Sequence, residues 1–510
     1  MIHLNSILSS PLTDSFRSRG AVKKGKACAA TNDFPFSNHH ERFGQFDKAG
    51  DIDKMLKVMK FGGSSLDDAA SLKTIKDIIV SQEGGKVVVL SALKGVTQEL
   101  NRAVKEIQSD ESRIDSAINA ISSRHYSVLR CAVSSPRVLA DGMDRLSALL
   151  RRLERLFYGI AYTEELTPKT RDLVLSFGER FSVCIMESVF QSDGVPAKAF
   201  FADDLGIVTD GEYGNATVDL KETARHIRKK LTRCVDDGTV PLVTGFFGRT
   251  KEGHTTLFGF GGSDYSAAIV AHSICADVIE VWKDVDGFMS AEPSLVPNAH
   301  LIDRLSYEEA AELAYFGAKI LHPRMVGPAE LKGIPIKVKN TLKKSEKETL
   351  IGKESYESGD IIKSVAYSRD LGVLRVWGGS VGYKPGVLTK LVSSLAELGI
   401  NIRSVITAQT CINILLGRGD LDAGHQAVKQ AQSTSVELIE KIDDLALVGV
   451  VGEGLASTEG LAARVFTAVA GNGINVEMIS FGARVAFYLL VRESGLEGTV
   501  RAIHNEFFKS

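Results

Sequence analysis

From residue 55 onward the chain alternates between two patterns. Short, almost continuous apolar runs predict strands buried on both faces, and longer segments with apolar positions three and four apart predict amphipathic helices. Strands are predicted at Val58 to Phe61 and within GKVVVLSALKG, VPAKAFFAD, TVPLVTGFFG and ADVIEVWKDVDG. Helices are predicted within DDAASLKTIKDIIVSQ, RDLVLSFGERFSVCIMESVFQSD, DYSAAIVAHSICA and YEEAAELAYFGAKIL. This alternation predicts a large layered α/β domain with a mostly parallel sheet over residues 54–345. Residues 101–165 carry the helical pattern alone, which reads as an inserted subdomain.

A turn-rich, lysine-rich stretch, NTLKKSEKETLIGKESYESGD, then changes the rhythm. Residues 361–440 read as strand, glycine-rich turn, helix and strand, and residues 445–509 repeat that order. Both helices end in Gly-Ile-Asn, at Gly399 and Gly473, where glycine accepts the positive φ of a helix C-cap at little cost. A duplicated small α+β domain is the expectation. Residues 1–53 lack periodicity and carry a basic run at Lys23, Lys24 and Lys26. They predict a disordered or organelle-targeting extension rather than a secretory signal.

Composition narrows the class. A net charge of -2 gives no bulk field toward nucleic acid or anionic lipid, so neither partner is expected. No run of about 18 apolar residues predicts a membrane span. The six cysteines form no CxxC pair and are expected to be buried free thiols of a reducing, cytoplasmic compartment.

Two glycine turns carry the candidate chemistry. In KVMKFGGSSL a strand delivers Lys60, and Gly62 and Gly63 expose backbone N–H groups ahead of a helix. That arrangement makes a nest for phosphoryl oxygens, aided by the helix N-terminus, although a structural tight turn would look the same. In FGFGGSDYSAA, Gly261, Gly262 and Ser263 repeat the device, with Asp264 in the first helical turn. An acidic turn, Asp284 and Asp286, closes the strand of WKDVDGF, a place suited to a ligand or Mg²⁺. Further candidates are Glu179 and Arg180 in LSFGER, and Lys319, His322 and Arg324 in FGAKILHPR. Positioned cations, N–H donors and a carboxylate-held metal are what phosphoryl transfer requires. No Ser-His-Asp set or zinc motif competes with that reading.

These motifs, with VVLSALKGVTQEL, LTPKTRDLVLSFGER, PLVTGFFG, SYEEAAELAYFGAKILHPR and IPIKVKNT, follow one another as in a known family. From about residue 56 to the end the chain resembles the monofunctional aspartokinases of the amino-acid kinase superfamily. The resemblance implies an ATP- and Mg²⁺-dependent kinase domain followed by two ferredoxin-like ACT domains that bind amino acids. It implies phosphorylation of the β-carboxylate of L-aspartate, the first step toward lysine, threonine and methionine. By motif, Lys60 would contact the moving phosphate, Gly62 and Gly63 would close over it, Ser263 would bind the nucleotide, and Asp264 would organise the site and its lysines. Ser91 and Thr97 would line the substrate pocket, Glu179 would meet the substrate ammonium, and Asp284 and Lys319 would sit on the nucleotide side. Joined ACT sheets imply a homodimer or a larger homo-oligomer.

The family pattern breaks at one position. Aspartokinases usually carry an arginine in Gly-Arg-Gly-Gly-Ser-Asp, where it grips a substrate carboxylate; here the residue is Phe260. Phenylalanine offers no bidentate fork. Either another cation such as Arg180 takes its place, or the acceptor is a different acid, or aspartate is turned over weakly by what is mainly an amino-acid sensor. Ser294 replaces an arginine that many relatives carry near the phosphates. In the first ACT module Gly382 and Gly386 mark the effector turn, and Arg403 stands where lysine-sensing relatives often have Asp. Arg403 would repel the ammonium end of lysine, so threonine or another effector stays open.

Overall fold

The computed structural model describes residues 55–316, 320–343, 347–353, 361–431, 435–455 and 457–508. The reading of residues 1–53 as an extension therefore lies outside the described residues, as does Lys319.

The large domain opens with β1 (Leu56–Phe61), α1 (Ala69–Ser81) and β2 (Gly85–Leu90). Helices α2 (Val96–Ile107), α3 (Arg113–Ala132), α4 (Pro136–Thr163) and α5 (Pro168–Leu175) follow, and α5 runs almost directly into α6 (Phe177–Ser192). Next come β3 (Ala197–Phe200), the one-turn α7 (Ala202–Leu205), α8 (Leu220–Asp236) and β4 (Val240–Thr244). A hairpin of β5 (Phe247–Arg249) and β6 (Thr255–Leu257) leads to α9 (Gly262–Ile274) and β7 (Val278–Lys283). The domain closes with β8 (Arg304–Ser306), α10 (Tyr307–Phe316), α11 (Val326–Glu330), β9 (Ile336–Asn340) and β10 (Thr349–Gly352).

Eight of these strands form one sheet in the order β3-β4-β2-β1-β7-β9-β10-β8. Every pairing in it is parallel except β9 with β10. From β1 the chain passes to β2 on one side and later returns to β7 on the other. Such a reversal opens a crevice at the carboxyl ends of the strands. Phe61 lies opposite both Leu90 and Trp282, so Lys60, Ser91 and Lys283 share that end of the sheet.

The helices of 101–165 do not form a separate subdomain. Ile121, Leu129, Leu146, Leu153 and Phe157 belong to the same core as the central strands. Their apolar stripes cover α6, which is buried on every side from Phe177 to Phe190.

The remaining elements are β11 (Ser364–Ser368), β12 (Gly372–Trp377), α12 (Val387–Glu397), β13 (Ile402–Thr407), β14 (Cys411–Leu416), α13 (Leu421–Ala431) and β15 (Leu438–Ile442). They are followed by β16 (Leu445–Val451), α14 (Leu461–Ala470), β17 (Val476–Ala483), β18 (Ala486–Arg492) and α15 (Leu496–Phe507). Two four-stranded antiparallel sheets result, β13-β14-β12-β15 and β11-β16-β18-β17. Gly399 and Gly473 adopt φ of 67° and 69° past the ends of α12 and α14, as the repeated Gly-Ile-Asn predicts. One strand departs from the grouping read in the sequence. β11, at the front of 361–440, pairs with β16 of the second sheet, while β15 closes the first. The second module thus takes its final strand from ahead of the first, which covers an edge of β16 that would otherwise stand open.

Among the described residues Cys184 is buried, Cys131 and Cys275 are exposed, and Cys234 and Cys411 are half-buried. The expectation of buried thiols holds for Cys184 alone. No described helix is long and apolar enough to cross a membrane.

Candidate active site

At the end of β1 the Lys60 side chain turns into the crevice, where its Nζ lies 2.5 Å from Asp264 Oδ1. Asp264 sits in the first turn of α9 but does not cap that helix. Its Oδ2 instead accepts the His322 backbone N–H at 3.1 Å and lies 3.6 Å from Lys283 Nζ. Burial pushes the Asp264 carboxyl up, but Lys60 and Lys283 outweigh it and hold it below the usual carboxylate range. Lys283 is pushed down by its own burial, against the pull of Asp264. One buried carboxylate therefore anchors two ammonium groups, leaving net positive charge where the strands end.

The glycine turns make this packing possible. Gly261 has φ 72°, and a Cβ there would lie 2.2 Å from the His322 ring. A Cβ on Gly62 would approach Lys60 Nζ to 3.2 Å. One expectation fails at the first turn. Gly63–Ser65 form a short 3-10 turn, and α1 starts later behind its own cap, the Asp68 carboxylate accepting Ser71 N–H at 2.8 Å. The N-terminus of α1 is therefore satisfied by its own side chain and does not serve the Gly62–Gly63 turn.

Glu179 occupies the first turn of α6, buried, with Oε1 accepting the Ala92 N–H at 3.1 Å. Its Oε2 has no partner among the described residues. Burial pushes the carboxyl up to about 8. Lys60, Gly62, Gly63, Ser91, Thr97, Glu179, Phe260, Ser263 and Asp264 all line one cavity of about 1130 Å³. Phe260 stands at its rim, 90% exposed and edge-on to His322.

Other candidates fall elsewhere. Asp284 is exposed one residue past β7 and does not line the cavity. Asp286 is engaged by Asn340 Nδ2 at 2.7 Å and Lys343 Nζ at 3.3 Å. Ser294 faces Glu292 rather than the cavity. Arg324 donates to the Phe258 and Ala216 carbonyls and so braces the loop before Gly259. Arg180 cannot replace the missing arginine. It is fully buried, paired with Asp203, bonded to Ser176 Oγ at 3.0 Å and stacked on the Phe201 and Phe247 rings. The reason is α6 itself: a helix enclosed on all sides turns Arg180 into the core.

Several lining residues escaped the sequence reading. Lys283 is given no role there, and only the pairing of β7 with β1 reveals that it faces Asp264. Arg171, Asn101 and Lys94 also line the cavity, as do Ser368, Asp370 and Arg403 from the small modules. Arg403 is ion-paired with Asp370, so it does not present the bare cation on which the repulsion of lysine depended.

The profile of the amino acid kinase family matches residues 55–340, and an ACT domain profile matches residues 448–507. Over 467 residues the chain is 33% identical to aspartokinase 1, chloroplastic, of Arabidopsis thaliana, covering 89% of this chain and 80% of that protein. The chain belongs to the aspartokinases. Aspartokinase 3, chloroplastic, of the same plant is 31% identical over 90% of this chain and 82% of its own length. Escherichia coli aspartokinase III, solved in complex with aspartate and ADP, shares the fold with a TM-score of 0.76 at 26% identity, covering 89% of this chain and all of that one. The same enzyme with lysine and aspartate gives a TM-score of 0.75 at 27% identity, with 89% and 100% covered. As an aspartokinase the chain is an ATP-dependent kinase, and its large α/β domain and two ACT-like modules are the architecture read from the sequence.

Proposed function

We propose that this chain transfers the γ-phosphate of ATP to the β-carboxylate of L-aspartate, giving 4-phospho-L-aspartate and ADP. Glu179 carries the reading: a buried carboxyl with one unpartnered oxygen shares a cavity with the Lys60–Asp264–Lys283 cluster. A substrate with an ammonium at one end and a group to be phosphorylated at the other satisfies both.

The attacking group is a carboxylate, already ionised at neutral pH, so no general base is needed. Its oxygen bonds to the γ-phosphorus as the bond from that phosphorus to the ADP oxygen breaks. Catalysis then rests on positioning and charge. Lys60 meets the moving phosphoryl group, Gly62 and Gly63 close over it, and Asp264 holds Lys60 and Lys283 in place. The start of α9, with Ser263, faces the phosphates. Ser91 and Thr97 position the acceptor; by motif Asp284, which lies outside the cavity, and Lys319 would serve the nucleotide. Among the described residues no three His, Cys, Asp or Glu groups gather into a metal site. Mg²⁺ would therefore be held by the nucleotide phosphates and water rather than by a cage of side chains, and would supply neutralisation of phosphate charge.

The ACT modules bind an end-product amino acid, lysine or threonine, and join copies of the chain into a homodimer or larger oligomer. The compartment is the cytoplasm, or an organelle where residues 1–53 direct it there. Phe260 favours a second reading, an acceptor other than aspartate. Measuring ADP release with ATP, Mg²⁺ and a panel of amino acids separates the two: release with aspartate supports the first, and release with another acid alone supports the second.

A further inference from the structure

A zwitterionic acceptor brings a third charge to the cavity. Besides the ammonium and the carboxylate that is phosphorylated, aspartate carries an α-carboxylate, which needs a cation. Five lysine and arginine side chains among the described residues line the cavity: Lys60, Lys94, Arg171, Lys283 and Arg403. Four are already matched to carboxylates. Lys60 and Lys283 share Asp264, Lys94 lies 3.2 Å from Asp67, and Arg403 pairs with Asp370.

Arg171 differs. Its Nε and Nη2 donate at 3.2 and 2.9 Å to one oxygen, the Asn101 side-chain carbonyl. A neutral amide fixes the plane of the guanidinium without cancelling its charge. Two of its three nitrogens share that single acceptor, so donors remain for a carboxylate.

Its position is equally specific. Ser176 keeps an αR backbone between α5 and α6, accepting Arg180 N–H and donating to Asp172. The helical phase therefore carries through, and Arg171, Leu175 and Glu179 fall four residues apart on one face. All three line the cavity. Cation, apolar spacer and anion thus run along roughly 12 Å of helix axis.

We propose that Arg171, oriented by Asn101, binds the α-carboxylate of the amino-acid substrate, supplying the positive charge that Phe260 does not. The assignment rests on the aspartate-kinase reading above, and it makes Arg171 a substrate-binding residue and Asn101 a positioning one.

The test is steady-state kinetics on the full chain with L-aspartate and with β-alanine, which keeps the ammonium and the attacked carboxylate but lacks the α-carboxylate. β-Alanine is measured as an acceptor and as a competitor against aspartate. Arg171→Gln should raise the aspartate KM roughly 10- to 100-fold, as for loss of a charged hydrogen bond. It should leave the ATP KM and every β-alanine constant within about twofold. Arg171→Lys should fall between the two, and Phe260→Arg placed on Arg171→Gln should recover part of the loss. An aspartate KM unmoved by Arg171→Gln, or equal losses for aspartate and β-alanine, overturns the assignment while leaving the kinase reading intact. A wild-type chain that turns over no aspartate overturns the kinase reading, and this assignment with it.

Discussion

Lys60 Nζ and Asp264 Oδ1 lie 2.5 Å apart in a buried pair that ties the carboxyl end of β1 to the first turn of α9. Because Lys283 also draws on Asp264, one carboxylate anchors two cations. Asp264→Asn should lower kcat at least 100-fold, since both ammonium groups lose their anchor. It should also cost about 3–5 kcal/mol, as expected when one partner of a buried ion pair is removed. Turnover and urea denaturation on one preparation check both numbers.

Glu179 predicts a pH dependence. Its carboxyl is pushed up to about 8 in the folded chain, against an ordinary value near 4.3. The folded chain therefore holds a proton that the unfolded chain releases between those values. Stability should fall as pH rises from about 5 to 8, by an amount on the order of a few kcal/mol. Glu179→Gln should flatten that slope, so its thermal midpoint should exceed the wild type's at pH 8 and approach it near pH 5. The aspartate KM of the wild type should fall between pH 7 and 8.5 as the carboxylate forms, and Glu179→Gln should abolish that trend. Parallel slopes for the two proteins would contradict the assignment.

Gly261 tests the local backbone. With φ at 72° and His322 atoms 2.2 to 2.6 Å from any Cβ, Gly261→Ala should displace His322 or the start of α9. A loss of about 1–3 kcal/mol is expected, with kcat falling because Asp264 lies in the same turn. Gly327→Ala, which meets nothing within 4 Å, should change neither and serves as the control.

Lys363 and Glu309 link the second small module to α10. Lys363 Nζ lies 2.8 Å from Glu309 Oε2, and Glu309 Oε1 accepts the Glu453 N–H at 2.8 Å. Lys363→Met leaves a buried carboxylate without its cation, which should cost about 3–5 kcal/mol. Inhibition by the effector amino acid should weaken as well. Unchanged inhibition would show that this contact holds the fold without carrying the signal.

Much of this architecture is legible in the residues. The repeated Gly-Ile-Asn at Gly399 and Gly473 marks two copies of one module because a C-cap is a local demand of the backbone. Lys60 and Asp264 can be read for the same reason, each lying where a strand or helix meets a glycine turn. What stays hidden is long-range. Nothing local says that β11 pairs with β16, or that β7 lies beside β1 and so brings Lys283 to Asp264. Arg180 misleads because the pattern of α6 does not reveal that the helix is covered on all sides. Arg171 is invisible until α5 and α6 are seen to keep one helical phase.

The most direct test of the central claim is to trap the product. Wild-type chain, ATP, Mg²⁺ and L-aspartate are incubated with hydroxylamine, and the adduct is identified by mass spectrometry. ATP-dependent aspartate β-hydroxamate is the expected product. Its absence, with a hydroxamate formed from another acid or none from any, would contradict phosphoryl transfer to the β-carboxylate of aspartate.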